Sequence, residues 1–183
     1  MQLKIVSNAS PLIFAAKISF LDYIQNLYGK VIIPQSVYAE TVEKGIEKKA
    51  PNAVLIQKAV AEGWIVITPL NQKAKGELEV LAVIPDISQG EAEAIALARQ
   101  EKADWLIIDE RAGTVTAKTW GVKTIGLLGI IIEAMRRGII NFDDLKSYYD
   151  KLSRTEFRLR YRDYKRAVEL AEKVWEQMQE SGK

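Results

Sequence analysis

Five short apolar runs, none of them alternating with polar residues, are separated from one another by helical patterns, and this restricts the fold more than any other feature. The runs are Leu3–Ser7, Val31–Ile33, Trp64–Thr68, Trp105–Ile108 and Val122–Ile125. A strand with one wet face alternates apolar and polar residues, whereas a strand buried on both faces does not. Buried strands joined by helices pack as a parallel sheet covered on both sides. The expected architecture is therefore α/β, three layers deep (α/β/α), around a central, mainly parallel five-stranded sheet.

Local signals place the helices between these runs. Ser10 and Pro11 open the first, with Ser10 as its N-cap and Pro11 at the first helical position. Helical patterns follow over Phe20–Leu27, Gln35–Glu43 and Ala50–Glu62, the last ending at Gly63. Residues 69–87 are the least regular stretch. Ser88-Gln89-Gly90-Glu91 is a capping-box pattern that opens the next helix. Glu110–Trp120 is a helix stopped by Gly121. Leu127–Arg137 is apolar on almost every side and is expected to be buried. Asn141 caps a helix over Phe142–Leu152, and a long final helix is expected over Thr155–Gln179. Residues 153–156 are the one plausible joint, dividing an α/β body (1–152) from a C-terminal helix (153–183).

The 183 residues include no cysteine and no histidine. Disulfides, zinc fingers, iron–sulfur clusters, cysteine nucleophiles, Ser-His-Asp triads and histidine bases are thereby excluded. Any metal chemistry must run on oxygen ligands, which favour hard ions such as Mg²⁺, Mn²⁺ or Ca²⁺. Glycine-rich phosphate loops and EF-hand spacing are missing as well. Gly126-Leu127-Leu128-Gly129 has apolar residues where a phosphate loop needs access, so it reads as packing.

Lys and Arg number 26 against 24 Asp and Glu, a net charge of +2. The basic excess is C-terminal, at Arg154, Arg158, Arg160, Arg162, Lys165 and Arg166. Such a cluster suits phosphates, and it equally suits a solvated helix face. Along the same helix, Tyr161, Tyr164, Val168, Ala171 and Trp175 form a stripe that covers the core, a second copy or a partner helix. No run approaches the length of a membrane span, and no signal peptide is visible at the start, so a cytoplasmic protein is expected.

Ligands of parallel sheets bind outside the carboxyl ends of the strands. The polar residues expected there are Ser7, Asn8 and Ser10 after the first strand, and Asp109 and Glu110 after the fourth. Glu91 opens the helix that feeds the fourth strand, and Glu40 lies on the helix after the second. Each has a plain structural reading. Asn8 and Ser10 cap the first helix, Asp109 caps Glu110–Trp120, Glu91 completes a capping box, and Glu40 faces solvent. Capping and anion or metal chemistry do not exclude each other, because helix N-termini attract negative charge.

Taken in order, these residues resemble the PIN-domain family. The resemblance rests on Val6-Ser7-Asn8-Ala9-Ser10-Pro11-Leu12-Ile13, on Pro34-x-x-Val37-x-x-Glu40, and on Gly90-Glu91-Ala92-Glu93-Ala94-Ile95-x-Leu97-Ala98. It continues through Leu106-Ile107-Ile108-Asp109-Glu110, Ala117, and Gly121-Val122-x-x-Ile125-Gly126-x-Leu128-Gly129. It covers roughly residues 3–150 and points to a PIN-like branch related to VapC-type toxin nucleases. The resemblance implies a Mg²⁺- or Mn²⁺-dependent ribonuclease, with the toxin of a toxin–antitoxin pair as one form. Implied catalytic and metal-holding residues are Asn8, Glu40, Glu91 and Asp109. Ser10 matches a nearby hydroxyl position, and Arg111 and Lys118 are candidate contacts to RNA phosphates. An antitoxin partner and a homodimer are implied too.

One position departs from the family. Asn8 stands where PIN domains usually carry Asp, so the first ligand brings an amide oxygen and no charge. This leaves a second reading open: a PIN-like module that binds RNA or protein with weak catalysis or none. Glu91 and Glu93 point about 200° apart on a helix, so only one can face the metal. Glu91, nearer the strand ends, is the expected one.

Overall fold

The computed structural model describes residues 3–157 and 161–181. Five strands form one all-parallel sheet: β1 (Ile5–Ser7), β2 (Val31–Ile33), β3 (Ile65–Ile67), β4 (Trp105–Ile107) and β5 (Thr124–Ile125), in the order β3-β2-β1-β4-β5. All five lie within the apolar runs; β2 spans its whole run and the other four are shorter than expected. Those four runs extend past the ladder because their ends turn into the loops that carry the polar residues.

Alternate side chains of the strands feed two cores. Ile5 and Ile107 enter one and Val6, Leu106 and Ile108 the other, and each is almost wholly buried. Burying one such side chain is worth about 1.5–3 kcal/mol. The first core is covered by α1 (Ala9–Lys17), α2 (Leu21–Tyr28) and α5 (Pro51–Ala61). On the same face lie α9 (Leu127–Arg136) and α10 (Phe142–Ser153). The second core is covered by α6 (Gln72–Leu81), α7 (Gln89–Gln100) and α8 (Arg111–Thr119). Between β2 and α5 run α3 (Gln35–Tyr38), a π-helical turn (Ala39–Glu43) and α4 (Lys44–Glu47). Gly63 and Gly121 follow α5 and α8 with φ of +78° and +77°, the left-handed conformation that ends a helix.

Three local expectations need correction. The irregular stretch contains α6, capped by Asn71, whose side chain accepts from the Ala74 amide at 2.9 Å. Only Ala74 and Leu81 of α6 are buried, and Gly76 interrupts its pattern, so α6 owes its stability to packing on α7. The first helix starts at Ala9 with Asn8 in the N-cap position, so Pro11 falls two residues after the first helical position. The last helix, α11, is described over Tyr161–Ser181, and it packs on α9 and α10. Ala167 and Ala171 are its buried residues, while Tyr161 is 79% exposed. The covering stripe therefore runs through Tyr164, Val168, Val174 and Trp175, with Trp175 stacked on Phe142 at 5.9 Å. Of the basic cluster, Arg158 and Arg160 lie outside the described residues.

Candidate active site

In this sheet β1 leads to β2 on one side while β4 leads to β5 on the other. The connections cover opposite faces, so the crevice beyond the carboxyl ends of β1 and β4 is the topological switch point, where parallel sheets bind ligands. The backbone holds both rims. The Asn8 amide donates to the Ile107 carbonyl at 2.9 Å, one step past the β1 ladder, and Ile108 donates to Ile125 at 3.0 Å. Asn8 and Asp109 thus emerge side by side from neighbouring strands.

Asn8 is buried and its side chain caps nothing, despite its N-cap position. Its Nδ2 donates to Glu110 Oε2 at 3.3 Å. The amide oxygen turns the other way. A Cβ built on Gly90 would lie 3.6 Å from Asn8 Oδ1 and 3.4 Å from Glu40 Oε2, so these two oxygens flank the same bare backbone.

Glu91 combines two roles. It closes the capping box expected from the sequence: Glu91 Oε2 accepts from the Ser88 amide at 2.8 Å, and Ser88 Oγ accepts from the Glu91 amide at 3.2 Å. Its other oxygen, Oε1, is buried without a partner. Gly113 on α8 makes room for it, because a Cβ there would come within 2.5 Å of Oε1. Glu93 faces elsewhere, accepting from the Ser36 amide at 3.4 Å and from Gln89 Nε2 at 3.0 Å.

Asp109 does not cap α8, whose N-cap is Glu110. It reaches across to α9 instead, where Oδ1 accepts from the Leu127 amide at 2.8 Å. Gly126 allows this, since a Cβ there would stand 2.7 Å from Oδ1. The Gly126–Gly129 segment therefore seats a carboxylate as well as packing the core. Asp109 Oδ2 is buried without a partner. Burial drives the Asp109 carboxyl up to about 7, the nearby Glu110 charge adds to this, and the Leu127 amide opposes it.

Glu40 rides on the π-helical turn, where Thr41 Oγ1 donates to the Val37 carbonyl at 2.7 Å. Such turns recur at functional sites because the extra residue re-aims a side chain. Glu40 is exposed at the crevice mouth, and its carboxyl is raised by desolvation, with Glu110 and Glu91 adding to the rise and Lys44 and Lys48 opposing it. The sequence places Glu110 beside Asp109 at the strand ends but assigns it no metal or catalytic role. It bonds Asn8 and acts electrostatically on both Glu40 and Asp109. The adjacency Asp109-Glu110 is the available signal, and the plain reading makes Asp109 the cap and Glu110 the first helical residue.

Of the remaining candidates, Ser10 (first turn of α1) and Arg111 (first turn of α8) line a cavity that reaches Asp109 and Glu110. Lys118 sits in the last turn of α8, two helical turns beyond Arg111, and is not brought to this group.

A family model described as a PIN domain matches residues 4–173. The chain belongs to the PIN-domain family. PIN domains have a nuclease-type fold, are in general divalent-metal dependent, and engage nucleic acid. Among curated proteins none matches this chain. No helix among the described residues is long and apolar enough to cross a membrane.

The residues present fit a hard divalent cation in their chemistry. Every donor is oxygen, and Glu91 Oε1 and Asp109 Oδ2 are buried carboxylate oxygens lacking any partner. Unpaired buried carboxylates are costly, and a cation removes that cost. Among the described residues no three carboxylates are already gathered as a ligand set. The oxygens on offer at the crevice are Glu91 Oε1 and Asp109 Oδ2, together with Asn8 Oδ1 and Glu40 Oε2 beside Gly90.

Proposed function

We propose that this PIN domain is a divalent-metal-dependent ribonuclease that hydrolyses phosphodiester bonds at the β1–β4 crevice. The observation that carries the reading is the pair of buried, partnerless oxygens, Glu91 Oε1 and Asp109 Oδ2, beside the switch point. Asp109, Glu91, Glu40 and the Asn8 amide oxygen would hold Mg²⁺ or Mn²⁺. A bound cation of this kind neutralises phosphate charge and makes an attacking water more acidic.

The chain's own residues do the rest. Leu127 holds Asp109 by one oxygen and leaves the other for ligation. Ser88 does the same for Glu91. Glu110 accepts from the Asn8 amide nitrogen, which keeps the Asn8 oxygen turned toward Glu40. Arg111, in the first turn of α8, meets the phosphate backbone at the positive end of that helix. Ser10 offers a hydroxyl from the opposite rim. No side-chain nucleophile is required, which suits a chain without cysteine or histidine.

Fluorescent single-stranded RNA, incubated with Mn²⁺, with Mg²⁺ and with EDTA, tests the reading. Cutting is expected with either ion and is lost in EDTA and in Asp109→Asn. Cutting that survives EDTA overturns it. Binding without cutting across several divalent ions supports the second reading, an RNA-binding module, which the neutral Asn8 favours. The toxin role, an antitoxin partner and a homodimer belong to the same proposal. A monomer by light scattering at high concentration removes the homodimer.

A further inference from the structure

A cavity of 630 Å³ opens directly off the crevice, with Asp109 and Glu110 at its inner end. Its volume lies within the range of small-molecule and cofactor sites. Ser10 and Phe14 are one turn apart on α1 and so share a face, which leads outward from Asn8. At the outer end Phe14 meets Phe157, ring against edge, at 5.1 Å and 82°. Phe157 comes from the segment between α10 and α11, held by its amide, which donates to Thr155 Oγ1 at 3.2 Å. Both residues are partly buried and line the cavity. Glu156 also lines it and is anchored by Lys17 at 2.6 Å, which holds its carboxyl below the usual range.

The charge balance says what fits. Among the described residues the acids Asp109, Glu110, Glu156 and Asp163 and the cation Arg111 line the cavity, and Glu156 is paired with Lys17. Carboxylate oxygens of Asp109 and Glu110 are acceptors, so the inner lining suits a group that donates. A flat, neutral group carrying N–H donors would stack on the aromatic wall and donate to the acids. Adenine, cytosine and guanine carry exocyclic amino groups with two N–H bonds each, whereas the uracil edge offers a single ring N–H between two carbonyl oxygens. Unpaired bases are read by aromatic stacking plus hydrogen bonds to their edges. A strand whose phosphate lies over Asp109 would have a neighbouring base within reach of this wall, because the cavity and the crevice share Asp109 and Glu110.

We propose that the Phe14–Phe157 cavity is a nucleobase subsite that takes an unstacked, amino-bearing base of the single-stranded substrate. The proposal rests on the ribonuclease reading for its substrate class. It assigns Phe157 and Glu156 as residues that determine sequence preference.

Base binding needs no metal, so the test is run in EDTA with labelled oligo(A), oligo(C) and oligo(U), using fluorescence anisotropy. Oligo(A) and oligo(C) are expected to bind about tenfold tighter than oligo(U). Phe157→Ala weakens oligo(A) binding about tenfold or more, Phe157→Tyr restores it, and Glu156→Gln narrows the preference over oligo(U). Melting curves check that each variant is folded. Equal binding of the three oligomers, no binding of any, or a folded Phe157→Ala that binds like the parent overturns the proposal. Mn²⁺-dependent cleavage is followed in parallel. Base preference without cleavage sinks the nuclease reading and leaves the subsite standing. Cleavage without base preference does the reverse.

Discussion

Two carboxylates on opposite sides of α9 show how differently this molecule treats negative charge. Glu133, on the outer flank, is bound by Arg136 and Arg137, each at 2.7 Å, and its carboxyl is held below the usual range. Asp109, at the head of the same helix, has one backbone amide and no cationic partner among the described residues, and its carboxyl is driven up to about 7. Glu91, Glu40 and Glu110 likewise form no ion pair among the described residues. Acids that only have to be soluble are neutralised by neighbouring bases. At the crevice Glu91 and Asp109 are each left with a buried oxygen without a partner, beside the charges of Glu40 and Glu110, an arrangement that costs stability in the absence of a cation.

The largest expected effect comes from removing the central charge. Asp109→Asn keeps the acceptor for Leu127 but should abolish metal-dependent cleavage, by two orders of magnitude or more. The same variant tests the electrostatics. The folded Asp109 carboxyl sits near 7 against an ordinary value of 3.8, so its favourable contribution is complete below pH 4 and is lost as pH rises through 7. Because part of the side chain borders the cavity, the full loss is set at about 2–4 kcal/mol. Metal-free melts should therefore fall from pH 4 to 8, Mn²⁺ should restore them, and Asp109→Asn should flatten the profile. An unchanged slope in Asp109→Asn would mean that another group carries it.

The spaces left by missing side chains come next. Gly113→Ala puts a methyl against Glu91 Oε1 and Ile108, which costs about 1–3 kcal/mol and weakens Mn²⁺ binding by calorimetry. Gly76→Ala is the control, since nothing lies within 4 Å of a Cβ there. In the exposed interior of α6 it should stabilise by about 0.5–1 kcal/mol in a denaturant melt.

Asn8→Asp sharpens the comparison further. It supplies the missing charge and should tighten Mn²⁺ binding about tenfold in calorimetry, while facing Glu110 with a like charge. The metal-free protein should then lose about 1 kcal/mol, visible as a lower melting temperature. Tighter binding without that loss would show that Glu110 is not the partner of Asn8. The smallest effect belongs to the outer flank. Glu133→Gln breaks two exposed pairs and should cost under about 1 kcal/mol, with cleavage unchanged.

Much of this molecule is legible without coordinates. Apolar runs without alternation mean strands buried on both faces, and from that the three layers and the parallel sheet follow. The capping box at Ser88 and Glu91 is local chemistry, and it formed as read. The absence of cysteine and histidine confines any metal to oxygen ligands, and the order of the motifs points to the family. Other features depend on contacts between distant segments. Helix α6 has a weak pattern of its own and forms against α7. Asp109 follows β4 yet bonds the head of α9, because Gly126 leaves room that no local rule reports. Asp109 reads as the cap of the next helix, yet Glu110 takes the N-cap position and also accepts from Asn8, 102 residues away. Lys118 shares a helix with Arg111 but stands too far along it to join the crevice. Backbone preferences and burial patterns act over a few residues, so sequence by itself determines the elements and their layers. Which oxygens end up buried without partners is decided only when strands from distant parts of the chain come to lie side by side.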